Sequence, residues 1–195
     1  MNRTRTILLL SFLSLLCTTA QAQSLKELFL KMPQELCPLL SEYNRLEIVD
    51  NQKNGKPMET RNQLRTVSGM KQLTDDYAHL ILSKQSEKQM KLLTLSNGAP
   101  IIMVISTVTS DSIADSSVKF YNTEWKPLPT LTYFSLPPTD NFRQVTLQPE
   151  TNQLTVISRN MFRLNTDGSD RPLPPQVFTN TYHWQEDKNH FMLDN

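Results

Sequence analysis

The stretch Pro100-Ile-Ile-Met-Val-Ile-Ser-Thr-Val-Thr109 is the most apolar run of the chain after its N-terminal segment. Its β-branched residues suit a pleated, packed surface, and we expect it to form the central strand of a sheet. Asn97-Gly98 stands just before this stretch, and a second apolar run, residues 90–95, stands before the turn. Asn-Gly between two apolar runs favours a hairpin, because both turn positions need a positive φ. The two runs are therefore predicted to pair as antiparallel strands.

Further strands are predicted on both sides of this hairpin. Residues 76–82 carry apolar side chains on both alternating faces, which is typical of a buried strand. Residues 118–121 continue as another strand toward Trp125, and the polar residues 60–67 could form an edge strand. The loops between these segments are too short and polar for parallel crossovers. We therefore predict a four-strand antiparallel meander that ends near Trp125.

Two helices are predicted before the meander. In residues 23–31, Ser24 is a candidate N-cap with Glu27 three residues later, the spacing of a capping box. The apolar face of this helix holds Leu25, Leu28 and Phe29. A second helix is expected to begin near Pro38, because proline is tolerated in a first turn, and to end before Gly55. The apolar stripe of the second helix is Leu39, Leu40, Tyr43, Leu46 and Val49.

The remaining third of the chain is predicted to be β-rich. Four prolines between residues 127 and 138 indicate a subdomain boundary, and strands are expected at 144–148, 154–159, 161–164, 177–184 and 190–193. The predicted fold class is α+β: one or two N-terminal helices packed on a mainly antiparallel sheet, followed by a second β-rich half. The segments are residues 1–22, 23–126 and 127–195, and the last two could form one continuous domain.

Residues 1–22 have the features of a secretory signal peptide. Arg3 and Arg5 form a basic region, residues 7–16 are apolar, and Ala20-Gln21-Ala22 is a cleavage site of the A-x-A type. We therefore expect an exported protein, periplasmic or secreted. Cys17 raises the alternative of a lipid anchor, which Leu16 disfavours because that signal has a small residue before the cysteine. No apolar run is long enough for a transmembrane span.

The charge and cysteine content limit the classes of partner. Residues 1–22 hold two arginines and no acid, so their removal changes the formal net charge from +1 to −1. A nearly neutral chain lacks the basic footprint of a nucleic-acid-binding protein. Cys37 is then the one remaining cysteine, and we expect it to be a buried small hydrophobe and not a reactive thiol.

Two groups of polar residues are candidate metal sites. Asp75, Asp76 and His79 are close in sequence, but a strand that starts at Asp76 places His79 on the opposite face. His183 and His190 could meet across the last hairpin, yet two histidines are too few for a zinc site. We expect both groups to be structural and predict no metal.

Motifs of known chemistries are missing from the sequence. Residues 165–170 resemble a calcium loop, but the EF-hand pattern would need acids where Arg163 and Pro174 stand. The chain has four glycines and no G-x-S-x-G elbow, P-loop or dinucleotide fingerprint. A hydrolase that uses two facing carboxylates stays open, because sequence cannot locate such a pair. We name no catalytic or cofactor-binding residue and no cofactor.

Several short segments together resemble a family of secreted Bacteroidales proteins that is classed only as a domain of unknown function. Their order and spacing carry the resemblance, which is clearest from residue 28 to 125. The segments are Met32-Pro33, Pro38-Leu39-Leu40, Asn44-Arg45-Leu46 with Asp50, Leu73-Thr-Asp-Asp-Tyr77, Lys91-Leu92-Leu93, and Phe120-Tyr121-Asn122 with Trp125. The resemblance implies a bacterial envelope location and brings no activity, cofactor or site residue.

The sequence favours a binding role over catalysis. The first hypothesis is a non-enzymatic envelope protein that binds a protein or another ligand, such as a glycan, through a sheet face or an aromatic patch. Its alternatives are a carrier of a lipid or other apolar ligand, and a hydrolase that uses carboxylates. The aromatic residues, which we expect mostly in the core, are Phe120, Tyr121, Trp125, Tyr133, Phe134, Tyr182 and Trp184. Arg45 could form a forked ion pair with Asp50 or Asp76 and join the second helix to the sheet.

Overall fold

The computed structural model describes residues 23–111, 113–136, 141–160 and 175–194, and within them the α+β prediction is confirmed. The helices are α1 (Leu25–Leu30), α2 (Glu42–Lys53) and α3 (Thr130–Tyr133), with a 3₁₀ turn at Gln34–Leu36. The strands are β1 (Glu59–Arg61), β2 (Val67–Leu73), β3 (Tyr77–Ser83), β4 (Ser86–Thr94), β5 (Pro100–Ser110), β6 (Ile113–Tyr121), β7 (Pro127–Leu128), β8 (Phe142–Gln148), β9 (Gln153–Asn160), β10 (Gln176–Gln185) and β11 (His190–Leu193).

The strands form two antiparallel sheets. The first sheet has seven strands in the order β1-β2-β3-β4-β5-β6-β7, so the predicted four-strand meander is the middle of a longer one. Strand β5 lies inside it and pairs with β4 through residues 100–108 and with β6 through residues 102–110, as expected of its apolar sequence. The predicted edge strand at 60–67 is instead a hairpin, β1 and β2. The second sheet has four strands in the order β11-β10-β9-β8.

The hairpin between β4 and β5 differs from its prediction in its turn. Of the two turn residues, only Gly98 has a positive φ, +80°. Leu95 donates its backbone N–H to the Ala99 carbonyl at 2.9 Å, which leaves three residues, Ser96 to Gly98, in the loop. Three-residue hairpins use a type I turn followed by one left-handed residue. The expectation that both positions need a positive φ was therefore wrong, although the strand pairing it predicted is confirmed.

Helix α1 forms as its sequence predicts. The Ser24 hydroxyl accepts the backbone N–H of Glu27 at 3.3 Å and caps the first turn. Leu25, Leu28 and Phe29 are fully buried against the first sheet. The Leu25 N–H, one of the helix donors without an internal partner, binds the Asp75 carbonyl at 2.6 Å. One short helix is thus fixed by its cap, its apolar face and its contact with the β2–β3 turn.

Helix α2 corrects two sequence predictions. It begins at Glu42 and not near Pro38, because Ser41 and Asn44 form a reciprocal capping box. Tyr43 is 72% exposed and Leu46 is 44% exposed, so of the predicted apolar stripe within the helix only Val49 lies on the buried face. The buried face is Asn44, Arg45, Ile48 and Val49. Asn44 can be buried because its amide donates to the Thr60 hydroxyl at 2.9 Å, which ties the helix to β1.

The first sheet separates two hydrophobic cores, because alternate side chains of each strand point to opposite faces. Helices α1 and α2 cover one face, where Met90, Ile102 and Val104 are buried. The second sheet covers the other face, where Met103, Ile105 and Phe120 are buried. The strands with apolar residues on both faces, β3 and β5, are therefore covered on both sides, as the sequence indicated.

The outer edge of β8 is closed by side chains of the first sheet. Three alternate backbone N–H groups of β8 point away from β9, and each finds an oxygen acceptor. The pairs are Arg143 to Asp115 Oδ1 at 3.1 Å, Val145 to Ser116 Oγ at 3.0 Å, and Leu147 to Gln89 Oε1 at 3.0 Å. The second sheet is thus joined to β4 and β6 through the polar groups of its edge as well as through the core.

Some predictions fall outside the described residues. These are the segment 1–22 with Cys17, the strand at 161–164, the calcium-like segment 165–170, and Pro137, Pro138, Pro172 and Pro174. The strands expected at 144–148, 154–159, 177–184 and 190–193 are confirmed as β8 to β11. In the part of the chain that is described, no helix has the length and apolar character to cross a membrane.

Candidate functional site

A cleft opens on the helical face of the first sheet, where the helices leave the ends of β4, β5 and β6 uncovered. Strand register aligns Lys88 with Ser106, and Ser106 with Ser117, in one row across the three strands. Lys119 lies two residues farther along β6 on the same face. The sheet therefore presents two lysines and two serines to the floor of the cleft.

The cleft consists of an inner cavity of about 130 Å³ and an outer groove of about 480 Å³. Both parts are lined by Glu35, Leu36, Lys119, Tyr121 and Trp125. The inner part adds Lys88 and the two serines, whereas the outer part adds Pro127 and Leu128. The cleft is therefore cationic and polar at its inner end and mostly apolar toward its mouth.

Lys88 is the chemically distinctive group of the cleft. Its Nζ donates to Ser106 Oγ, and none of the ion pairs among the described residues involves Lys88 or Lys119. Burial lowers the pKa of Lys88, and the charge of Lys119 lowers it further, while Cys37 opposes the shift. A partly buried ammonium without a carboxylate destabilises the fold, because its lost hydration is poorly replaced.

Cys37 and Arg45 lie behind the wall of the cleft. Arg45 is 3% exposed, and its guanidinium donates to the Met32 carbonyl at 2.8 Å and the Leu40 carbonyl at 2.9 Å. The predicted ion pair of Arg45 with Asp50 or Asp76 is therefore wrong. Arg45 instead binds the segment between the two helices. Cys37 is fully buried, as expected, and burial raises the pKa of its thiol although Lys88 and Arg45 act in the opposite direction.

Trp125 forms one side of the cleft in an unusual backbone conformation. Its φ is +62°, in the left-handed region where glycine is favoured and a bulky residue is an outlier. The indole Nε1 donates to the Leu28 carbonyl at 3.0 Å, and the ring lies 5.6 Å from that of Tyr121. The contact with helix α1 keeps the ring in place. Strained residues of this kind are enriched at binding and catalytic sites.

A second, acidic cavity of about 660 Å³ lies at the other end of the first sheet, and Asp75, Asp76, Glu27 and Glu186 line it. Burial alone would raise the pKa of Asp76, but hydrogen bonds from Lys91 and Thr74 outweigh it and hold the pKa below its usual value. A general acid needs the opposite shift.

His79 does not join this acidic group. It binds Glu87 at 3.1 Å, away from Asp75 and Asp76, on the strand face that the sequence predicted. His183 and His190 also stay apart, because His183 contacts Asp194 and Gln153, whereas His190 contacts the Thr132 carbonyl. Among the described residues, no three side chains of the metal-binding types come together.

Most of the aromatic residues are in the core. Phe134 packs edge-to-face with Tyr182 and Phe191, at centroid distances of 5.3 and 5.7 Å, between the two sheets. Tyr133 packs on Phe120, and Trp184 on Phe191. Tyr121 and Trp125 differ from this group, since they lie on the helical face and line the cleft. The expectation of a mostly internal role is confirmed for the set.

Sequence reasoning missed the lysines and serines of the cleft. One signal could have found Lys88: it shares a strand face with Met90 and Leu92, so a charged residue occupies a position in line with buried apolar ones. Lys119 has no comparable signal, because it is exposed and the residues on either side of it in the sequence include both polar and apolar types. The pairing of the two lysines depends on strand register, which only the fold provides.

The comparisons with known proteins concern the fold and the family. A solved structure, described as a domain of an uncharacterized protein from Porphyromonas gingivalis W83, is similar with a TM-score of 0.70 and 21% identity. The similarity covers 87% of this chain and 97% of that one, and at this identity it shows the fold alone. Among curated proteins there is no match. The model of the family "Protein of unknown function (DUF3256)" matches residues 17–189, and the chain therefore belongs to that family.

Proposed function

We propose that this chain is an exported, non-enzymatic binding protein of the bacterial envelope, and that its ligand is an amphipathic molecule with an anionic head group. The head group lies at Lys88 and Lys119 in the inner cavity, and the apolar part lies along Tyr121, Trp125 and Leu128 in the outer groove. The signal-like segment 1–22 supports the export part of the proposal.

The observation that carries the proposal is that Lys88 forms no ion pair with any carboxylate of the described residues, although Glu35 lines the same cavity. Buried charges in proteins are normally paired, because an unpaired one is costly. Lys91, the buried lysine of the same strand, follows this rule and binds Asp76 at 2.7 Å, whereas Lys88 is half-buried. A carboxylate or phosphate from a ligand would give Lys88 the same compensation, through a charge-assisted hydrogen bond.

The shape of the cleft supports a small ligand over a flat protein surface. A groove of about 480 Å³ with an apolar wall and a few convergent polar groups is typical of small-molecule sites. The small exposed parts of Trp125 and Tyr121 contribute apolar wall, and the two serines beside Lys88 offer further hydrogen bonds to head-group oxygens. The proposal thus combines the binding role expected from the sequence with its carrier alternative.

The test compares a charged ligand with its neutral analogue. We expect laurate to bind the wild-type protein, with a change in tryptophan fluorescence, and methyl laurate to bind about tenfold more weakly or worse. One charge-assisted hydrogen bond contributes about 1.5–3 kcal/mol, and about 1.4 kcal/mol corresponds to a tenfold change in Kd. Dodecyl phosphate, measured in parallel, distinguishes a carboxylate preference from a phosphate preference.

Variants locate the site. Lys88→Met and Lys119→Met are each expected to weaken laurate binding about tenfold and to leave methyl laurate binding unchanged. Lys71→Met is the matched control, because Lys71 is an exposed lysine of β2 that does not line the cleft. Equal laurate binding by all three variants, or no binding by the wild-type protein, would contradict the proposal.

A further inference from the structure

The described edges of the two sheets are protected in different ways. At β1 the strand is short and carries Glu59 and Arg61, and Asn51 of helix α2 donates to the Glu59 carbonyl at 3.1 Å. Strand β7 has two residues, one of them Pro127. Strand β8 is closed by side chains, as described above. Charges, proline, short length and covering groups are the devices that prevent strand edges from pairing with other chains.

Strand β10 has an edge at which the described residues supply none of these devices. It has ten residues, whereas its neighbour β11 has four and pairs only with residues 182–185. The last hydrogen bond between this C-terminal segment and β10 runs from the N–H of Asp194 to the Thr181 carbonyl, at 2.9 Å. Beyond it, residues 176–180 pair with β9 alone. The opposite side of this five-residue segment has no partner strand among the described residues.

The direction of the free backbone groups follows from two hydrogen bonds. The Trp184 N–H donates to Asn152 on the β9 side, so even-numbered residues of β10 turn their N–H and C=O groups toward β9. The Thr181 carbonyl points to the β11 side, so odd-numbered residues turn outward. Val177 and Thr179 therefore direct one N–H and one C=O each away from the sheet.

The segment is uncharged and regular. Residues 176–181 read Gln-Val-Phe-Thr-Asn-Thr, with no lysine, acid, proline or glycine. Its pairing with β9 runs without a bulge. Val177 is 53% exposed and Phe178 is 46% exposed. An exposed edge of β-branched and aromatic residues without charge is a template for strand addition.

We propose that residues 176–180 pair with the same segment of a second copy of this chain, antiparallel across a two-fold axis at Phe178. The outward residues 177 and 179 are symmetric about Phe178, so Val177 of each copy exchanges both hydrogen bonds with Thr179 of the other. Phe178 then directly faces its own copy in a non-hydrogen-bonded pair, where side chains are closest.

The second copy is favoured over a different partner because the segment complements itself. Self-pairing brings no like charges together and matches each outward donor with an acceptor. The pairing joins the two four-stranded sheets into one. Pro175 lacks an N–H and Asp194 occupies the ladder at Thr181, so the contact is limited to about five residues. The interface is therefore small, and the dimer is expected to be weak.

Cysteine cross-linking tests the register. In a Cys17→Ser background, Phe178→Cys places two thiols opposite each other at a Cα separation of about 4.5 Å, within disulfide range. Val177→Cys is the control, because in the same register its two copies lie about 8 Å apart, too far for a disulfide. Cys37 stays in place, since it is fully buried. We expect mild oxidation to give a disulfide-linked dimer with Phe178→Cys and little with Val177→Cys.

Sedimentation tests the association itself. The wild-type chain is expected to shift from monomer to dimer as its concentration rises toward about 1 mM, the weak end of measurable affinity. Thr179→Pro removes one outward N–H, keeps the β9 ladder, and should stay monomeric with an unchanged circular dichroism spectrum. Monomer at every wild-type concentration, equal cross-linking at both positions, or a monomer that instead takes up an unrelated extended peptide on this edge would each overturn the proposal.

Discussion

Lys88 and Lys91 are three residues apart on strand β4, and their ammonium groups differ in burial and in partners: Lys91 is buried and Lys88 is half-buried. Lys91 points to the core between the sheets, where it binds Asp76 Oδ2 and the Pro149 carbonyl, each at 2.7 Å. Lys88 points to the helical face, where Ser106 is its one hydrogen-bond partner among the described residues. One lysine is satisfied within the fold, and the other keeps donors free toward a cleft.

The difference separates a structural charge from a charge that is available to a ligand. Lys91 joins three elements, because Asp76 precedes β3 and Pro149 follows β8. Its removal takes away contacts that hold the sheets together. Lys88 joins only neighbouring strands, which are already paired through their backbones. The fold does not require its charge, and the following predictions test this contrast.

The largest expected effect is on stability when Lys91 is truncated. Lys91→Ala should lower the free energy of unfolding by about 3 kcal/mol, because it leaves a cavity and an unpaired Pro149 carbonyl. The matched variant Lys88→Ala should cost less than about 1 kcal/mol, since its side chain borders a cleft that water can fill. Urea unfolding of the two variants measures the difference. Equal losses would remove the distinction between the two lysines.

A smaller change in stability, of opposite sign, is expected when Lys88 is replaced by an apolar residue. Lys88→Met should raise the free energy of unfolding at pH 7 by about 1 kcal/mol, or about 2–4 °C in Tm. The pKa of Lys88 is lower in the folded state, so its protonation favours unfolding below that pKa. As the pH rises through the folded-state pKa toward about 10.4, the penalty disappears and the gain should vanish.

The control for this prediction is Lys119→Met. Lys119 is exposed, so its replacement should change stability by less than about 0.5 kcal/mol at either pH. Unfolding in urea at pH 7 and near pH 10 gives both comparisons. A Lys88→Met variant that is less stable than the wild type at pH 7 would show that the fold needs the ammonium.

The smallest expected effect concerns acid. The pKa of Asp76 is lowered in the folded state, so its contribution to stability is present above its unfolded-state value of about 3.9 and is lost as the pH falls through the folded-state pKa. Asp76→Asn should reduce the free energy of unfolding that is lost below about pH 5. The reduction should be less than about 1 kcal/mol, because the side chain of Asp76 is 57% exposed. In the Lys91→Ala background the same substitution should have a smaller effect, because only the hydrogen bond from Thr74 and a backbone hydrogen bond then remain, and a double-mutant cycle measures the difference.

The sequence predicted correctly the elements that are determined by residues close together in the chain. Ser24 caps helix α1 by accepting the backbone N–H of the third residue after it, and residues 101–105 of the apolar run in β5 are buried. Helix α2 was misread because Asn44 and Arg45 fill buried positions, and the carbonyls that make this tolerable are 5 to 17 residues away. The hydrophobic pattern of the helix sequence does not indicate where such hydrogen-bond partners are.

The cleft was even less visible in the sequence. Lys88 and Lys119 are 31 positions apart, and a one-residue change in the pairing of β5 with either neighbour would turn one lysine to the other face. Whether either lysine has a carboxylate partner also depends on residues that are close in space but distant in sequence. The predicted aromatic residues were correctly placed in the core as a set, but the separate position of Tyr121 and Trp125 depended on the β6–β7 turn.

From the side-chain closure of β8 we expect an order of assembly. Its three edge N–H groups need Gln89, Asp115 and Ser116, and these residues have fixed positions only when β4 and β6 are already in a sheet. The strands of the C-terminal sheet pair with one another, but the outer edge of β8 is closed only when the first sheet is present. A chain that emerges from the ribosome or a translocon with its N-terminus first meets this requirement, because the acceptors fold before the strand that needs them.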